Sequence, residues 1–275
     1  MHKCQLTPKG FRRFLSGHPW VFSNDLTHSP KGIPPGAEVE LISPRGDFVG
    51  SAYGNPHSLI ACRVTARNSR MGDVKSFLLM RLHEAYSLRQ RLGLTSLSHR
   101  LCFSEADGLP GLVIDSFRSK ISGRDQWVIS IEVLTAGAEE WIKSLGSSIT
   151  EFFQGFYQNA PITIVIRRDS SFRTLEGIGT EPVQIFGPLS EGELTTAAIQ
   201  LSDFNSEPFS LNVNLFSGQK TGFFLDQNDN VRRLLQLLKP RLTEQNDKQK
   251  NKWKILDLCC YVGRWGVQAA RFLNH

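Results

Sequence analysis

Several features are scarce in this 275-residue sequence, and their scarcity excludes whole classes of protein. No apolar run approaches the roughly 18–20 residues that span a bilayer, and residues 1–17 lack the apolar stretch of a signal peptide. The five cysteines include no CxxC pair, so neither a disulfide framework nor a zinc ribbon is expected. We therefore expect a cytoplasmic protein with no membrane segment and no bound metal.

Positive charge is concentrated near the N-terminus. The chain carries 32 Lys and Arg against 26 Asp and Glu, a net charge of +6. Residues 1–76 hold ten basic and five acidic side chains, whereas the rest of the chain is close to neutral. Such an excess suits a polyanion such as nucleic acid. From the charge alone, a solvated basic surface that keeps the protein soluble is an equally good interpretation.

Hydropathy patterns divide the chain into three units, residues 1–76, 77–187 and 188–275. The first shows short alternating strands separated by turns, which is typical of a small β-barrel. The second begins with a helix that ends at Gly93 and continues as an α+β module with a helix at 136–153. The predicted strands of these two units are 37–42, 48–53, 58–64, 112–117, 127–134 and 162–167. The alternation over 129–133 predicts that one face of the second sheet meets solvent.

The third unit has the pattern of an α/β fold, and the expected fold class overall is mixed α/β. A strand at 209–216 precedes a returning strand at 221–225, and Asp226 stands where a helix N-cap is expected. A polar loop over 243–252 leads to an apolar strand at 253–258 and a short helix. These elements cannot complete a doubly wound sheet. We therefore expect a fragment, or a chain completed by a partner.

An apolar strand, an acid and a glycine turn follow one another in residues 254–266, KILDLCCYVGRWG. Glycine lets the backbone approach a ligand, and the amides that open the following helix favour negative charge. The spacing Gly263-x-x-Gly266 lacks the preceding G-x of a dinucleotide fingerprint, which disfavours a nicotinamide-dependent oxidoreductase. The turn alone is compatible with a nucleotide-type ligand or with an ordinary strand–helix connection.

Six blocks, in order along nearly the whole chain, carry a family resemblance. They are SGHPWVFSNDL, VGSAYGNPHSLIACRV, EADGLPGLVID, RRDSSFRTLEGI, SGQKTGFFLDQNDNVR and ILDLCCYVGRWGVQAA. These blocks resemble the class I S-adenosylmethionine-dependent methyltransferases that form 5-methylcytosine in 23S ribosomal RNA. The resemblance implies a PUA-like RNA-binding domain, an α+β connector and the beginning of a Rossmann-like methyltransferase domain. It also implies S-adenosyl-L-methionine as cofactor and ribosomal RNA as partner.

The resemblance assigns cofactor-binding residues in two segments. They are Asp257, Tyr261, Gly263 and Gly266 in the glycine turn, and Lys220, Thr221, Asp226 and Gln227 in the preceding hairpin. A desolvated Lys220 facing Asp226 would make a charge pair, whereas a solvated surface lysine is an equally good interpretation. Two positions depart from the family pattern, Arg264 in place of glycine and Asn228 in place of arginine. Arg264 is expected either to point outward from the turn or to weaken cofactor binding.

No catalytic residue is assigned. C5 methylation of cytosine needs a thiolate that adds to the base. The resemblance places that cysteine, with an Asp-Pro-Pro segment, beyond His275. Cys259 and Cys260 are interpreted as small apolar fill. We therefore expect this chain by itself to be inactive, the alternative function being a non-catalytic RNA-binding fragment.

Expected RNA contacts lie mainly in the first unit, where cations pair with phosphates and rings stack on bases. The residues are Arg12, Arg13, His18, Arg63 and Arg67. Trp20 is favoured as a core anchor over a stacking ring. The modified nucleotide and the oligomeric state do not follow from the sequence.

Overall fold

The computed structural model describes residues 2–158, 160–203, 205–243 and 254–273. Its strands are β1 (His2–Gln5), β2 (Trp20–Val21), β3 (Glu38–Ile42), β4 (Phe48–Gly54), β5 (Cys62–Arg67), β6 (His99–Phe103), β7 (Leu112–Ile121), β8 (Arg124–Val133), β9 (Ile162–Arg168), β10 (Glu181–Phe186), β11 (Ala197–Ser202) and β12 (Pro208–Val213). Its helices are α1 (Pro8–Leu15), α2 (Val74–Arg91), α3 (Ala136–Leu145), α4 (Ile149–Gln154), α5 (Phe172–Leu175), α6 (Glu191–Thr195), α7 (Asn228–Thr243) and α8 (Arg264–Leu273). No helix within these ranges is long and apolar enough to cross a membrane.

The first five strands form one sheet in the order β1-β3-β4-β5-β2. The strands expected at 37–42 and 48–53 are confirmed, and the third begins later, at Cys62. Helix α1 begins at Pro8 because the Thr7 hydroxyl accepts a hydrogen bond from the Gly10 amide at 3.0 Å. Alternate strand side chains such as Val39 and Leu41 are fully buried beneath it, which gives this unit its own core.

The remaining strands form a second, larger sheet in the order β10-β9-β8-β7-β11-β12, with β6 also paired to β7. Both of its faces are covered, because Ile129 and Ile131 lie in one apolar cluster and Val128 and Phe117 lie in another. The expectation that one face meets solvent is therefore wrong. The alternation over 129–133 arises because the second face carries Ser130, which is fully buried, and Glu132, which is half-buried.

The second sheet runs across the boundary that the sequence placed at residue 187, because β11 and β12 belong to it. Strands β10 and β11 were not expected. The helix expected over 136–153 is interrupted at Gly146, whose φ of +50° ends α3 before α4 begins. The division into three units stays a prediction.

Two expected strands are absent from the last part of the chain. Residues 221–225 form a turn and the start of a 3₁₀ segment, because β12 pairs with β11 instead. Residues 254–258 are also not a strand: no neighbouring strand pairs with them in the described residues, and Leu256 is 81% exposed. Helix α7 begins at Asn228, so Asp226 is not its N-cap. The loop expected over 243–252 lies outside the described residues except for Thr243, which ends α7.

Buried polar contacts fix the two sheets to each other. The Tyr53 hydroxyl donates to the carbonyl oxygen of Pro110 at 3.1 Å and lies 2.7 Å from the Thr135 hydroxyl. The Tyr53 ring packs edge-on against Trp141, with centroids 5.3 Å apart. Close approach requires glycine at 137, because a Cβ there would lie 2.3 Å from the Tyr53 ring. The two units therefore meet through packed side chains.

Candidate functional site

The expected glycine turn is present, although the strand before it is not. The Asp257 carboxylate accepts a hydrogen bond from the Gly266 amide at 3.1 Å, in the first turn of α8. Gly263 has a φ of +74°, a conformation that glycine adopts without steric cost. Its carbonyl oxygen accepts from Val267 at 2.8 Å and so starts the helix. The acid is thus held beside amides that favour negative charge.

Tyr261 connects the glycine turn to the segment around residue 220. Its hydroxyl donates to the carbonyl oxygen of Gly222 at 3.1 Å, and its ring lies edge-on to Phe224, with centroids 5.6 Å apart. Burial raises the pKa of Tyr261, while the nearby Arg167 lowers it by less. The two segments that the sequence assigned to one cofactor site therefore lie together.

Lys220 and Asp226 form the charge pair considered from the sequence. The Lys220 Nζ lies 3.1 Å from Asp226 Oδ2 and 4.5 Å from the centre of the Phe224 ring. Burial raises the pKa of Asp226, but the hydrogen bond and charge of Lys220 outweigh it and leave the pKa below its ordinary value. The two side chains are 42% and 43% exposed, so the pair is not desolvated. Gln227 accepts from Asn230 at 3.2 Å on the same segment.

Thr221 reaches a buried acid that the sequence reasoning missed. Its hydroxyl donates to Asp115, which is fully buried on β7 and is also held by Arg100 through two hydrogen bonds of 2.9 Å. Burial lowers the pKa of Arg100, but the hydrogen bond and charge of Asp115 outweigh this and raise it. A lone acid within the apolar stretch LVIDSF was the available signal.

Arg264 points inward, so an outward side chain, the first of the two alternatives for this position, is wrong, and weaker cofactor binding stays a prediction. It is 3% exposed, donates to the carbonyl oxygen of Phe224 at 2.8 Å and also donates to Asn228. The guanidinium lies 5.1 Å from the centre of the Phe223 ring. Burial lowers the pKa of Arg264 to about 10, against the opposing effect of Asp226 and Asp229. The two residues that depart from the family pattern thus contact each other.

The expected RNA-binding residues around α1 lie close together, but they differ in whether their side chains are already bound within the protein. Arg12 is exposed. Arg13 pairs with the buried Asp25 at 2.8 Å. His18 accepts a hydrogen bond from the Trp20 amide at 3.2 Å and lies edge-on to the Trp20 ring.

The two expected RNA-binding residues on β5 are both engaged within the protein. Arg63 is 11% exposed and pairs with Glu105 at 2.7 Å and Glu176 at 2.9 Å, so its charge is neutralised where a phosphate contact was expected. Both acids belong to the second unit, and Arg63 therefore fastens the two units together. Arg67 donates to the carbonyl oxygen of His18 at 2.8 Å and lies over the Phe14 ring. Burial lowers the pKa of Arg67.

The cysteines fall into two groups. Cys4, Cys62 and Cys102 are buried, whereas Cys259 and Cys260 are exposed. The expectation that the adjacent pair fills apolar space is therefore wrong, because both residues lie in the turn before α8 rather than on a buried strand. Within the described ranges no group of three or more His, Cys, Asp or Glu side chains is arranged to hold a metal ion.

A cavity of about 760 Å³ lies beside the Lys220–Asp226 pair. Its other walls come from the end of α2, from β6 and from the ends of β7 and β8. Large exposed rings at Phe103 and Phe172 and the acid Glu132 line it. Its size is that of a site for a small molecule or a nucleotide.

Comparison with known domains and structures defines the class of fold. Residues 4–67 match the family model described as a PUA-like domain. The chain is similar to a provisionally assigned SAM-dependent methyltransferase from Streptococcus mutans, with a TM-score of 0.60 and 18% identity over 86% of this chain and 54% of that one. A second provisionally assigned methyltransferase, SMU.776 in complex with SAH, gives the same TM-score and identity and is covered to 53%. The expected mixed α/β fold with a PUA-like unit is confirmed.

Curated relatives are more similar in sequence. The chain is 29% identical over 98% of its length to the Ribosomal RNA large subunit methyltransferase I of Shewanella denitrificans. It is 31% identical over 92% of its length to the protein of the same name from Pseudoalteromonas translucida. The chain spans 60% and 56% of the lengths of these two relatives.

Proposed function

We propose that this chain belongs to an S-adenosyl-L-methionine-dependent methyltransferase of large-subunit ribosomal RNA. The observation that carries the proposal is the 29% identity, over 98% of the chain, with a protein named for that activity. The match runs through both the PUA-like unit and the segment around Asp257. The chain covers only 60% of the length of this relative. The proposal therefore concerns cofactor binding and RNA binding, the parts of the activity to which these residues contribute.

The residues around Asp257 fit the cofactor. Apart from its two chain neighbours, no described residue has an atom within 4 Å of a Cβ built on Gly263, so open space adjoins the backbone of the turn. One Asp257 oxygen accepts from Gly266, and the other accepts no hydrogen bond from the described residues. A carboxylate oxygen without a donor can accept hydrogen bonds from the hydroxyl groups of a ribose. S-adenosyl-L-methionine supplies an electrophilic methyl group when it is bound, and Asp257 with Tyr261 would orient it.

The PUA-like unit supplies the RNA-binding part of the proposal. The exposed Arg12 and the neighbouring Arg13, His18 and Arg67 would position structured RNA by contacts to its phosphates.

We further propose 23S ribosomal RNA as the substrate and 5-methylcytosine as the product. Free cysteines accord with a cytoplasmic location.

Ultraviolet crosslinking of radiolabelled S-adenosyl-L-methionine tests the cofactor site in this chain. We expect labelling that unlabelled S-adenosylhomocysteine competes away and that Asp257→Asn lowers about tenfold, because a charged hydrogen-bond acceptor is lost. Asp125→Asn is the matched control, since Asp125 is exposed on β8, away from the glycine turn. Labelling that neither competitor nor Asp257→Asn changes would refute the assignment.

The substrate is tested by incubation of the chain with unmodified large-subunit ribosomal RNA. Filter binding measures affinity across a salt series, and mass spectrometry of nucleosides from the incubated RNA identifies any methylated product. Salt-dependent binding is expected from phosphate contacts. A product other than 5-methylcytosine would correct the finer proposal and leave the coarser one in place.

A further inference from the structure

Arg167 of β9 is a buried arginine with one donor nitrogen unused. Its side chain is 3% exposed, and its Nε and Nη2 atoms donate to Asp169, the shorter of the two hydrogen bonds being 3.0 Å long. Its Nη1 atom is buried and has no hydrogen-bond partner in the residues that the structure describes. A buried N–H group without an acceptor costs free energy, so a ligand that supplied an acceptor here would be bound favourably.

The hydroxyl of Ser130 is a second unused group on the same face of the sheet. Strand β8 pairs with β9 so that Ser130 lies beside Val165, two residues before Arg167. Residues two apart in a strand share a face, so Ser130 and Arg167 occupy neighbouring positions on the face that also carries Val128. Ser130 is fully buried, and its Oγ has no hydrogen-bond partner among the described residues.

The glycine turn of the proposed cofactor site lies over this face. Val262, the residue before Gly263, packs against the apolar cluster that contains Val165. Burial raises the pKa of Tyr261 and Arg167 lowers it by less, which agrees with a guanidinium close to this ring. Arg167 therefore lies next to the turn, although it is far from the turn in sequence.

The segment around residue 220 reaches the same face from the other side of Ser130. Asp115 of β7 lies beside Ser130, and the Thr221 hydroxyl donates to Asp115. Ser130 and Arg167 are thus covered by both of the segments that the sequence assigned to the cofactor site. The second sheet forms the surface against which these two segments come together.

The chemistry of the two unused groups selects an anionic oxygen. A guanidinium N–H binds a carboxylate more strongly than it binds a neutral acceptor, and a hydroxyl can add a second hydrogen bond. S-adenosyl-L-methionine carries one carboxylate, on its amino-acid end, whereas Asp257 suits the ribose at its other end. Both groups are buried, which favours the terminal carboxylate of a ligand held between the two segments over a phosphate of RNA.

We propose that Arg167 and Ser130 bind the carboxylate of S-adenosyl-L-methionine, with Nη1 of Arg167 and the hydroxyl of Ser130 donating to its oxygens. The second sheet then supplies the floor of the cofactor site. The inference rests on the proposed function and extends its cofactor site to two residues outside the segments that the sequence assigned.

Isothermal titration calorimetry of the full chain with S-adenosyl-L-methionine and with its decarboxylated analogue tests the proposal. The analogue keeps the adenosine, the sulfonium and the amino group and lacks only the carboxylate. We expect the wild type to bind S-adenosyl-L-methionine about tenfold more tightly, because hydrogen bonds to a charged oxygen are lost with the analogue. This comparison needs no substitution, so it does not depend on the folding of a variant.

Substitutions identify the residues that recognise the carboxylate. Arg167→Met should weaken binding of S-adenosyl-L-methionine about tenfold and leave binding of the analogue unchanged. Ser130→Ala should give the same pattern with a smaller loss of about threefold. Arg124→Met, at an exposed position on β8, is the matched control and should keep the wild-type preference. Thermal unfolding checks that each variant is folded.

Equal affinity of the wild type for the two ligands overturns the proposal. An Arg167→Met variant that keeps the full preference, or that loses affinity for both ligands equally, overturns it as well. Weaker binding of ribosomal RNA by a variant that keeps the preference would assign Arg167 to a phosphate instead. A wild-type chain that binds neither ligand would contradict the proposed function itself, and this inference with it.

Discussion

Arg264 donates a hydrogen bond to the side-chain oxygen of Asn228, which lies 36 residues earlier in the chain. The nitrogen of the same Asn228 amide donates to the Ser202 hydroxyl at 3.2 Å. The start of α8 is thereby linked through the start of α7 to the end of β11. The proposed cofactor turn is held in place by this buried guanidinium rather than by a neighbouring strand.

Replacement of the acceptor tests this arrangement. Asn228→Ala leaves a buried guanidinium N–H without a partner, and we expect the free energy of unfolding to fall by about 1–3 kcal/mol. Urea unfolding measures the change. Asn230→Ala, at an exposed position on the same helix, should shift the midpoint little. An Asn228→Ala midpoint equal to that of the control would show that the contact does not stabilise the fold.

Arg63 gives a prediction about stability rather than about RNA. Arg63→Met removes the partner of Glu105 and Glu176 and leaves buried charge uncompensated, so the free energy of unfolding should fall by about 3–5 kcal/mol. The exposed Arg45→Met is the control. Differential scanning calorimetry distinguishes the two variants. Unchanged stability together with weaker RNA binding would restore Arg63 as a phosphate contact.

Local sequence patterns correctly predicted the parts of the fold that depend on local chemistry. The strands at 38–42 and 48–54 have alternating residues and turn chemistry between them, and both form. The predicted strand at 253–258 has equally strong local character, yet 254–258 is not a strand, because a strand also needs a neighbour with which to pair. Pairing partners that are distant in sequence leave no local signal.

The contacts of the candidate site differ in the same way: contacts between residues close in sequence can be predicted, and contacts between distant residues cannot. The Lys220–Asp226 pair was one of two interpretations that the sequence left open, because the two residues are only six positions apart. The contacts of Asp115 and Arg264 join residues 106 and 36 positions apart, respectively. Whether an arginine points into a protein depends on acceptors that only the folded chain supplies, here the Phe224 carbonyl oxygen and Asn228.

Arg12 and Arg13 are neighbours in the proposed RNA-binding face, but we expect their alanine variants to behave differently. Arg12→Ala should weaken RNA binding and reduce the slope of affinity against salt by about one, without a change in Tm, because Arg12 is exposed. Arg13→Ala should also lower Tm, because Asp25 is 1% exposed and loses its ion pair. Filter binding and thermal unfolding give the two readouts. A binding curve that Arg12→Ala leaves unchanged would remove this face from the proposed RNA site.

The buried His99 predicts how stability responds to mild acid. Burial lowers the pKa of His99, although the Leu97 carbonyl oxygen and Asp115 raise it by less, and its Nε2 has no partner in the described residues. The unfolded chain therefore takes up a proton at a higher pH than the folded chain does. The stability that neutral His99 provides is present above about pH 6.5 and is lost as the pH falls through its folded pKa.

His99→Gln removes this titration and keeps a donor for Leu97, whose carbonyl oxygen lies 2.8 Å from the His99 ring. Between about pH 7 and about pH 5.5, the unfolding free energy of the wild type should therefore fall more steeply than that of the variant. His28→Gln, at an exposed position, should keep the wild-type slope. Urea unfolding at several pH values measures all three proteins. Parallel curves for the wild type and His99→Gln would mean that His99 binds its proton equally well in the folded and unfolded chains.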